Sequence, residues 1–393
     1  MKKFPLLILW GGFLVSPVTF SQKWNSECVS YYQMQLPDGL DVGLYPIEGF
    51  TNPEEQPEGN GFFITSRYAR NGITFGDKYN RAKADSIQAQ FSSLYYGNYE
   101  LDVSSEEKTP VDFSAYKERV ADSINFGIEV ARKYEERDLK LLNKPMETKA
   151  EFNRKHEYIL KDYPNAFVNY DYRGYTVYIN SGKRLYHFWG RNAKDSGEKS
   201  QTTEMQVRKS EPEVLSLLNR FRPRKLYEVP TEQGFCLPYG FIAGDSGHEP
   251  RNIGITYRLQ NHPDVTIFFQ DLGMKPKAGK EDDLNEKDYV NWLWNWQYQW
   301  SAVSKELIKP KWRSIEMDGR KGVGTFVKSV YKDGGLNYGY VAYVQGDRQA
   351  RNLKPDLLLY VMQDSRQARG NPPMDKDELE KLAEHIVSSI KRR

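Results

Sequence analysis

The four residues Gly244-Asp245-Ser246-Gly247, followed by Pro250, have the composition of a serine nucleophile loop: a hydroxyl held between glycines beside an acid. Acyl transfer through such a serine needs a histidine to take its proton and a buried acid to orient that histidine. The upstream histidines are His156, in a charge-rich stretch, and His187, between Tyr186 and Phe188. Neither stands in a protease-like setting. Helical periodicity dominates the chain before Ser246, whereas the trypsin-like arrangement requires two β-barrels. A turn after a buried strand explains the same four residues by turn chemistry alone. A secreted serine hydrolase using Ser246 is therefore the last of the functional readings.

Other chemistries lack their motifs. There is no Gly-x-Ser-x-Gly elbow, His-Glu-x-x-His pair, phosphate-binding P-loop or Rossmann glycine run. The five histidines are isolated and the two cysteines lie far apart, so no metal site is assigned. His385, between Glu384 and Ile386, reads as a surface residue or a partner of the helix dipole. No catalytic residue and no cofactor is expected.

Trp292, Trp294, Trp296 and Trp300 form the densest aromatic cluster. If residues 288–305 are helical, Trp292, Trp296 and Trp300 share one face, with Trp294 and Tyr298 opposite. Such a stripe packs on a sheet, or else presents an exposed patch to a protein or a sugar. Trp292, Trp294 and Trp296 are the candidate partner-binding residues, and an exported carbohydrate- or protein-binding module is the alternative function that rests on them.

These segments sit in a mixed pattern of elements. Ser210-Glu211-Pro212-Glu213 reads as a capping box before Val214, Leu217, Leu218 and Phe221. Asp375-Lys376-Asp377-Glu378 reads likewise before Leu379, Leu382, Ala383 and Ile386. Each helix follows a strand candidate, at 202–207 and 356–363, and each ends in arginines suited to the negative helix end. Two domains with the same closure follow: 22–228 and 229–393, divided at a connector containing Pro223, Pro230 and Gly234. In the first, strands at 175–179 and 184–188 flank the hairpin signal Asn180-Ser181-Gly182-Lys183. Helices are expected at 82–95 and 114–134, with a helical extension through the charged stretch 135–162. In the second, strands are expected at 252–259, 265–270, 322–330, 338–345 and 357–362, with a charged loop at 273–288. The fold class is α+β: two domains, each an antiparallel sheet with packed helices, closed by a C-terminal amphipathic helix.

The ends and the charge narrow the class further. Lys2 and Lys3 precede an apolar run at 4–15, and Thr19-Phe20-Ser21 supplies small residues for cleavage, so residues 1–21 read as a signal peptide. The formal charge of +3 falls to +1 without Lys2 and Lys3. Charges of both signs are mixed along the chain, which excludes the concentrated basic face of a nucleic-acid binder. No stable membrane anchor is expected. Cys28 and Cys236 are the only cysteines, and in an exported chain they are expected to pair.

Three stretches together carry a family resemblance. Cys28 is followed by Tyr31-Tyr32-Gln33-Met34-Gln35-Leu36-Pro37; the connector leads into Gly234-Phe235-Cys236 and Gly240-Phe241-Ile242-Ala243-Gly244; and a final helix spans 375–393. The pattern, with Arg184-Leu185-Tyr186 in support, resembles the periplasmic immunity proteins that neutralise phospholipase effectors of bacterial type VI secretion. The stretch 273–311 has no counterpart in the resemblance. What it implies is an inhibitor, not an enzyme, in which two domains grip a cognate secreted phospholipase and occlude its active-site entrance or hold its lid. It also implies a periplasmic location, a structural role for Cys236 as the partner of Cys28, and no chemistry at Ser246.

Overall fold

The computed structural model describes residues 23–47, 50, 73–75, 94–172, 174–191, 202–274, 284–297 and 302–393. The leader expected at 1–21 and the greater part of both the helix expected at 82–95 and the loop at 273–288 lie outside the described residues.

The first half contains β1 (Trp24–Val29), β2 (Tyr32–Pro37), β3 (Leu40–Val42), β4 (Leu94–Tyr96), β5 (Tyr99–Val103), α1 (Phe113–Leu142), α2 (Lys149–His156), β6 (Tyr158–Tyr163), β7 (Ala166–Asp171), β8 (Gly174–Asn180), β9 (Leu185–Arg191) and α3 (Thr203–Arg220). The second contains β10 (Phe221–Pro223), β11 (Gly234–Leu237), β12 (Gly240–Ala243), β13 (Arg251–Leu259), β14 (Val265–Leu272), α4 (Glu286–Trp292), β15 (Ser304–Leu307), β16 (Arg313–Met317), β17 (Arg320–Val330), β18 (Leu336–Val344), β19 (Asp356–Gln363), α5 (Lys376–Ser389) and β20 (Lys391–Arg392). Mixed helices and antiparallel strands agree with the α+β class.

One fourteen-stranded sheet runs β15-β17-β18-β19-β14-β13-β4-β5-β9-β8-β7-β6, with β16 on β17 and β3 on β13. The halves of the chain meet along β13. Its Arg251 and Asn252 pair with Tyr96 and Tyr95 of β4, and its Tyr257, Arg258 and Leu259 pair with β3. Two small sheets, β1-β2-β20 and β10-β12-β11, complete the set.

In both halves helices cover both sheet faces. Alternate residues of a strand point to opposite faces, and β19 shows the result. Leu357, Leu359 and Val361 join the core under α5 with Leu379, Leu382, Ala383 and Ile386. Leu358, Tyr360 and Met362 join a second core under α4 with Val290, Leu293 and Trp294. In the first half, Val168, Tyr170, Tyr175 and Val177 share a core with Val214 and Leu217 of α3. Phe167 and Tyr178 face the other way, against Tyr116 and Val120 of α1. A strand buried on both sides reads as a continuous apolar run, which is why β19 was visible in the sequence.

Several expected elements differ. The strand expected at 202–207 is the first part of α3, which begins at the N-cap Thr202 and not at Ser210. Ser210 Oγ donates back to Gln206 O instead of capping forward, so the helix runs through Pro212. Val207 stands seven residues before Val214, in phase with the buried stripe. The charged stretch 135–162 is not one helical extension: α1 stops at the left-handed Asn143, α2 is separate, and 158–162 belong to β6. Residues 94–95 are strand. The last helix ends at Ser389, and Arg392 lies in β20.

Candidate functional site

Cys28 of β1 and Cys236 of β11 are joined by a disulfide with a Cα–Cα distance of 5.9 Å. Beside it, Glu27 and Arg224 form a fully enclosed ion pair at 2.5 Å. The Arg224 guanidinium also donates to the carbonyls of Cys28 at 2.9 Å and Leu237 at 3.0 Å. Glu27 in turn accepts the amide of Cys28 at 2.9 Å. Charges survive out of water only when paired and hydrogen-bonded, and this pair meets both conditions.

A second buried pair lies a short way along the same junction. Arg251 Nε donates to Asp271 Oδ2 at 2.6 Å, both side chains being fully enclosed. Ser30 Oγ donates to the same carboxylate oxygen at 2.5 Å. The Arg251 guanidinium lies 4.7 Å over the ring of Tyr31, whose hydroxyl donates to Asp245 Oδ2 at 2.7 Å. Tyr96 donates to that oxygen at 2.9 Å, and Gly247 N–H donates to Asp245 Oδ1 at 2.9 Å. Burial first, then the carboxylate of Asp245, pushes both phenols well above the ordinary tyrosine range.

This arrangement decides what the Gly-Asp-Ser-Gly stretch does. Asp245 is its working residue, as the acceptor that ties the β1–β2 turn to β4 and the second half of the chain. Ser246 Oγ donates to Glu249 Oε1 at 3.1 Å and accepts the amide of His248 at 3.1 Å, a local turn at the surface. His187 pairs instead with the hydroxyl of Tyr116 at 2.7 Å, and burial pushes its imidazole down to about 3. His156 Nδ1 is bonded to Phe152 O at 2.8 Å. The structure thus brings neither upstream histidine to Ser246 as a hydrogen-bond partner. His385 stacks on Trp24 with ring centroids 3.7 Å apart. Among the described residues, no group of three or more His, Cys, Asp or Glu side chains is placed to hold a metal ion.

The tryptophan segment is helical only to Trp292. It continues as a single π-helical turn, Leu293–Gln297, and the chain is strand again at Ser304–Leu307, so no helix spans 288–305. Trp294 points inward, 4% exposed, with its indole N–H donating to Thr325 Oγ1 at 2.8 Å. Gly339 makes room for it, since a Cβ there would lie 2.8 Å from the Trp294 ring. Trp292 is half-buried, stacked 5.8 Å from Tyr289, which lies 4.5 Å from Tyr343. Trp312 borders the same core, with the ammonium groups of Lys287 and Lys311 each 5.7 Å from its ring. The side chain of Trp296 and all of Trp300 lie outside the described residues. The sequence spacing had placed Trp292 and Trp294 on opposite sides; both instead border the core under α4, Trp294 buried within it and Trp292 packed at its edge.

Sequence reasoning missed the buried acids and arginines of the junction. Glu27, Arg224, Arg251 and Asp271 each look like surface residues in their local sequence. Within β13 and β14, however, Arg251 and Asp271 flank long apolar runs, and a charge at the border of a buried strand is the signal that was available.

Comparison with known proteins places this architecture. Residues 228–393 match the family described as the Tle cognate immunity protein 4 C-terminal domain. No curated protein matches the chain. Among solved structures, the chain is similar to the T6SS immunity protein TplEi of Pseudomonas aeruginosa complexed with "L" peptide. That match has a TM-score of 0.50 and 15% identity, and covers 94% of this chain and 98% of that one. A chain of the Tle4–Tli4 complex is similar with a TM-score of 0.51 and 16% identity, over 94% of this chain and 97% of that one. At such identity these structures show a shared fold, and they show it across both halves.

Proposed function

We propose that this protein is a periplasmic immunity protein that binds and inhibits a cognate type VI secretion phospholipase effector, and so protects the membranes of the cell that makes it. The observation that carries this reading is the match of residues 228–393 to the Tle cognate immunity protein 4 C-terminal domain. The fold shared with TplEi over 94% of the chain supports it. Residues 1–21 serve as a cleaved signal peptide, and the Cys28–Cys236 disulfide suits an oxidising compartment. No helix among the described residues is long and apolar enough to cross a membrane.

Inhibition by binding demands a scaffold whose surface does not yield, since ordering a loose surface subtracts from affinity. The disulfide ties 22–228 to 229–393, and a buried ion pair stiffens each side of it, Glu27 with Arg224 in the first and Arg251 with Asp271 in the second. The two domains grip the lipase together and deny phospholipid access to its active site. In this reading the protein is not an enzyme. Of the tryptophans, Trp292 with Tyr289 and Trp312 offers an aromatic contact surface, while Trp294 holds that surface in place from below.

The test is co-purification of residues 22–393 with the product of an adjacent lipase gene, followed by phospholipase assays at rising ratios. Loss of activity that completes at a one-to-one ratio is expected. Failure to form a complex and to inhibit rejects the reading.

A further inference from the structure

The disulfide has a cover of its own. Cys28 and Cys236 are both fully buried, and Arg393 Nη1 donates to Cys236 Sγ at 3.1 Å while its own side chain is only half-buried. A half-exposed guanidinium touching an enclosed sulfur is the outer layer over that sulfur.

The same guanidinium reaches the connector that roofs the other half of the bond. Its Nη2 donates to Pro230 O and, at 3.1 Å, to Glu232 O. Just before them in the chain, Glu228 O lies 3.9 Å from Cys28 Sγ, and Val229 packs against both cysteines and Phe241. Phe241, the cross-strand neighbour of Cys236, has the Arg393 guanidinium 5.6 Å from its ring. A planar group with five donors can hold a sulfur and two carbonyls at once, where an ammonium has only three donors around one point.

Arg393 is kept in place by contacts elsewhere. Its amide donates to Tyr31 O at 2.9 Å, beside the bridge between Ser30 and Cys236. The residues before it, β20, join β2 through two pairs, Tyr32 with Arg392 and Gln33 with Lys391. Asp318, at the tip of the β16–β17 hairpin, strengthens this short pairing. Asp318 N–H donates to Ile390 O at 2.9 Å, and Asp318 Oδ1 accepts the amide of Arg392 at 2.9 Å. Arg392 Nη1 adds a bond to Leu353 O at 2.9 Å. Each such bond contributes modestly, and a segment held by a few of them at the surface opens before the fold does.

We propose that residues 390–393 are a latch over the disulfide: the bond is closed to external thiols while the strap is paired, and becomes reducible when the strap lifts with both halves still folded. The latch goes beyond the immunity function and does not depend on it. With dithiothreitol as reductant, one of its thiolates must reach a sulfur of the bond. A new S–S bond forms there, and the electron pair of the old bond leaves on the other cysteine as thiolate. The second thiol of the reductant then attacks the mixed disulfide and departs with the first as a cyclic disulfide, its two protons passing to Cys28 and Cys236. The first step is blocked while Arg393 sits on Cys236 and pins the connector over Cys28.

The test holds the folded protein in dithiothreitol without denaturant, traps the thiols that appear with iodoacetamide, and counts them by mass. Arg393→Ala removes the cover. Asp318→Gly removes the anchor and suits the left-handed backbone at this position, φ 55°. Each variant should be reduced roughly tenfold faster than wild type, and all three at one rate once unfolded in urea. Trp294→Ala, destabilised in the core under α4, should keep the wild-type rate in the fold. Wild-type rates in both latch variants overturn the proposal. A rise confined to one of them does so too, because side chain and strand then do not act together. Equal acceleration in Trp294→Ala also overturns it, since the bond would then open only by unfolding of the whole chain.

Discussion

Tyr31 donates its hydroxyl to Asp245 Oδ2 across 2.7 Å, so the turn after β1 is fastened to the Gly-Asp-Ser-Gly turn that follows β12. Asp245→Ala strands this phenol and that of Tyr96 without their acceptor, and should cost about 1–3 kcal/mol of stability. Ser246→Ala removes a surface turn bond only and should stay within about 0.5 kcal/mol. Urea denaturation of both variants measures the contrast. A large effect of Ser246→Ala on inhibition with an unchanged fold would return that serine to consideration.

The disulfide closes a loop with a sequence separation of 208. In the chain-entropy model its loss costs about 5 kcal/mol, an upper value because the reduced chain keeps some structure. Cys28→Ser and Cys236→Ser should therefore lower the urea midpoint alike, and dithiothreitol should lower that of the wild type to the same level. If reduction leaves the midpoint where it was, the crosslink does not hold the two halves together.

His187 fixes a pH dependence. Burial holds its imidazole at about 3 in the fold, below the ordinary 6.5 of the unfolded chain. Below pH 6.5 the unfolded chain gains a proton that the folded chain refuses, so stability falls as pH drops toward 3. The slope from this group is about 1.4 kcal/mol per pH unit within that window, and it vanishes above and below. Going from pH 7 to pH 5, wild type should lose about 2 kcal/mol more than His187→Gln. Equal losses in the two proteins would mean that His187 titrates normally.

Trp294 and Trp292 should separate stability from binding. Trp294→Ala empties a packed site and should cost about 3–5 kcal/mol. Trp292→Ala should cost about 1 kcal/mol of stability and, if the aromatic surface meets the lipase, reduce affinity in a pull-down or calorimetric titration. Full affinity in Trp292→Ala would remove that surface from the interface.

How much of this was readable in advance depends on the range of each interaction. Strands β13, β14, β17, β18 and β19 carry their own signal, because each buries apolar residues in a local run and turns at nearby Gly, Pro or Asp. The α5 cap at Asp375 is equally local. By contrast β3 and β20 are two to three residues long, and they exist as strands only because partners far along the chain lie beside them. The start of α3 was misplaced because a serine hydroxyl can either accept the amide ahead of it as a cap or donate back to the carbonyl four residues behind, and Ser210 does the second, to Gln206 O. The tryptophan spacing suggested one long helix, but the π turn at Leu293–Gln297 shifts the phase after Trp292.

The pairing of β2 also has a consequence in time. One neighbour, β1, precedes it immediately, while the other is β20 at residues 391–392. A chain delivered N-terminus first exposes its opening hairpin long before the segment that completes it arrives, and Ser30 must likewise wait for Cys236. Contacts this distant form slowly compared with local hairpins. The earliest segment to emerge is therefore among the last to be finished, and one edge of its hairpin stays unpaired in that interval.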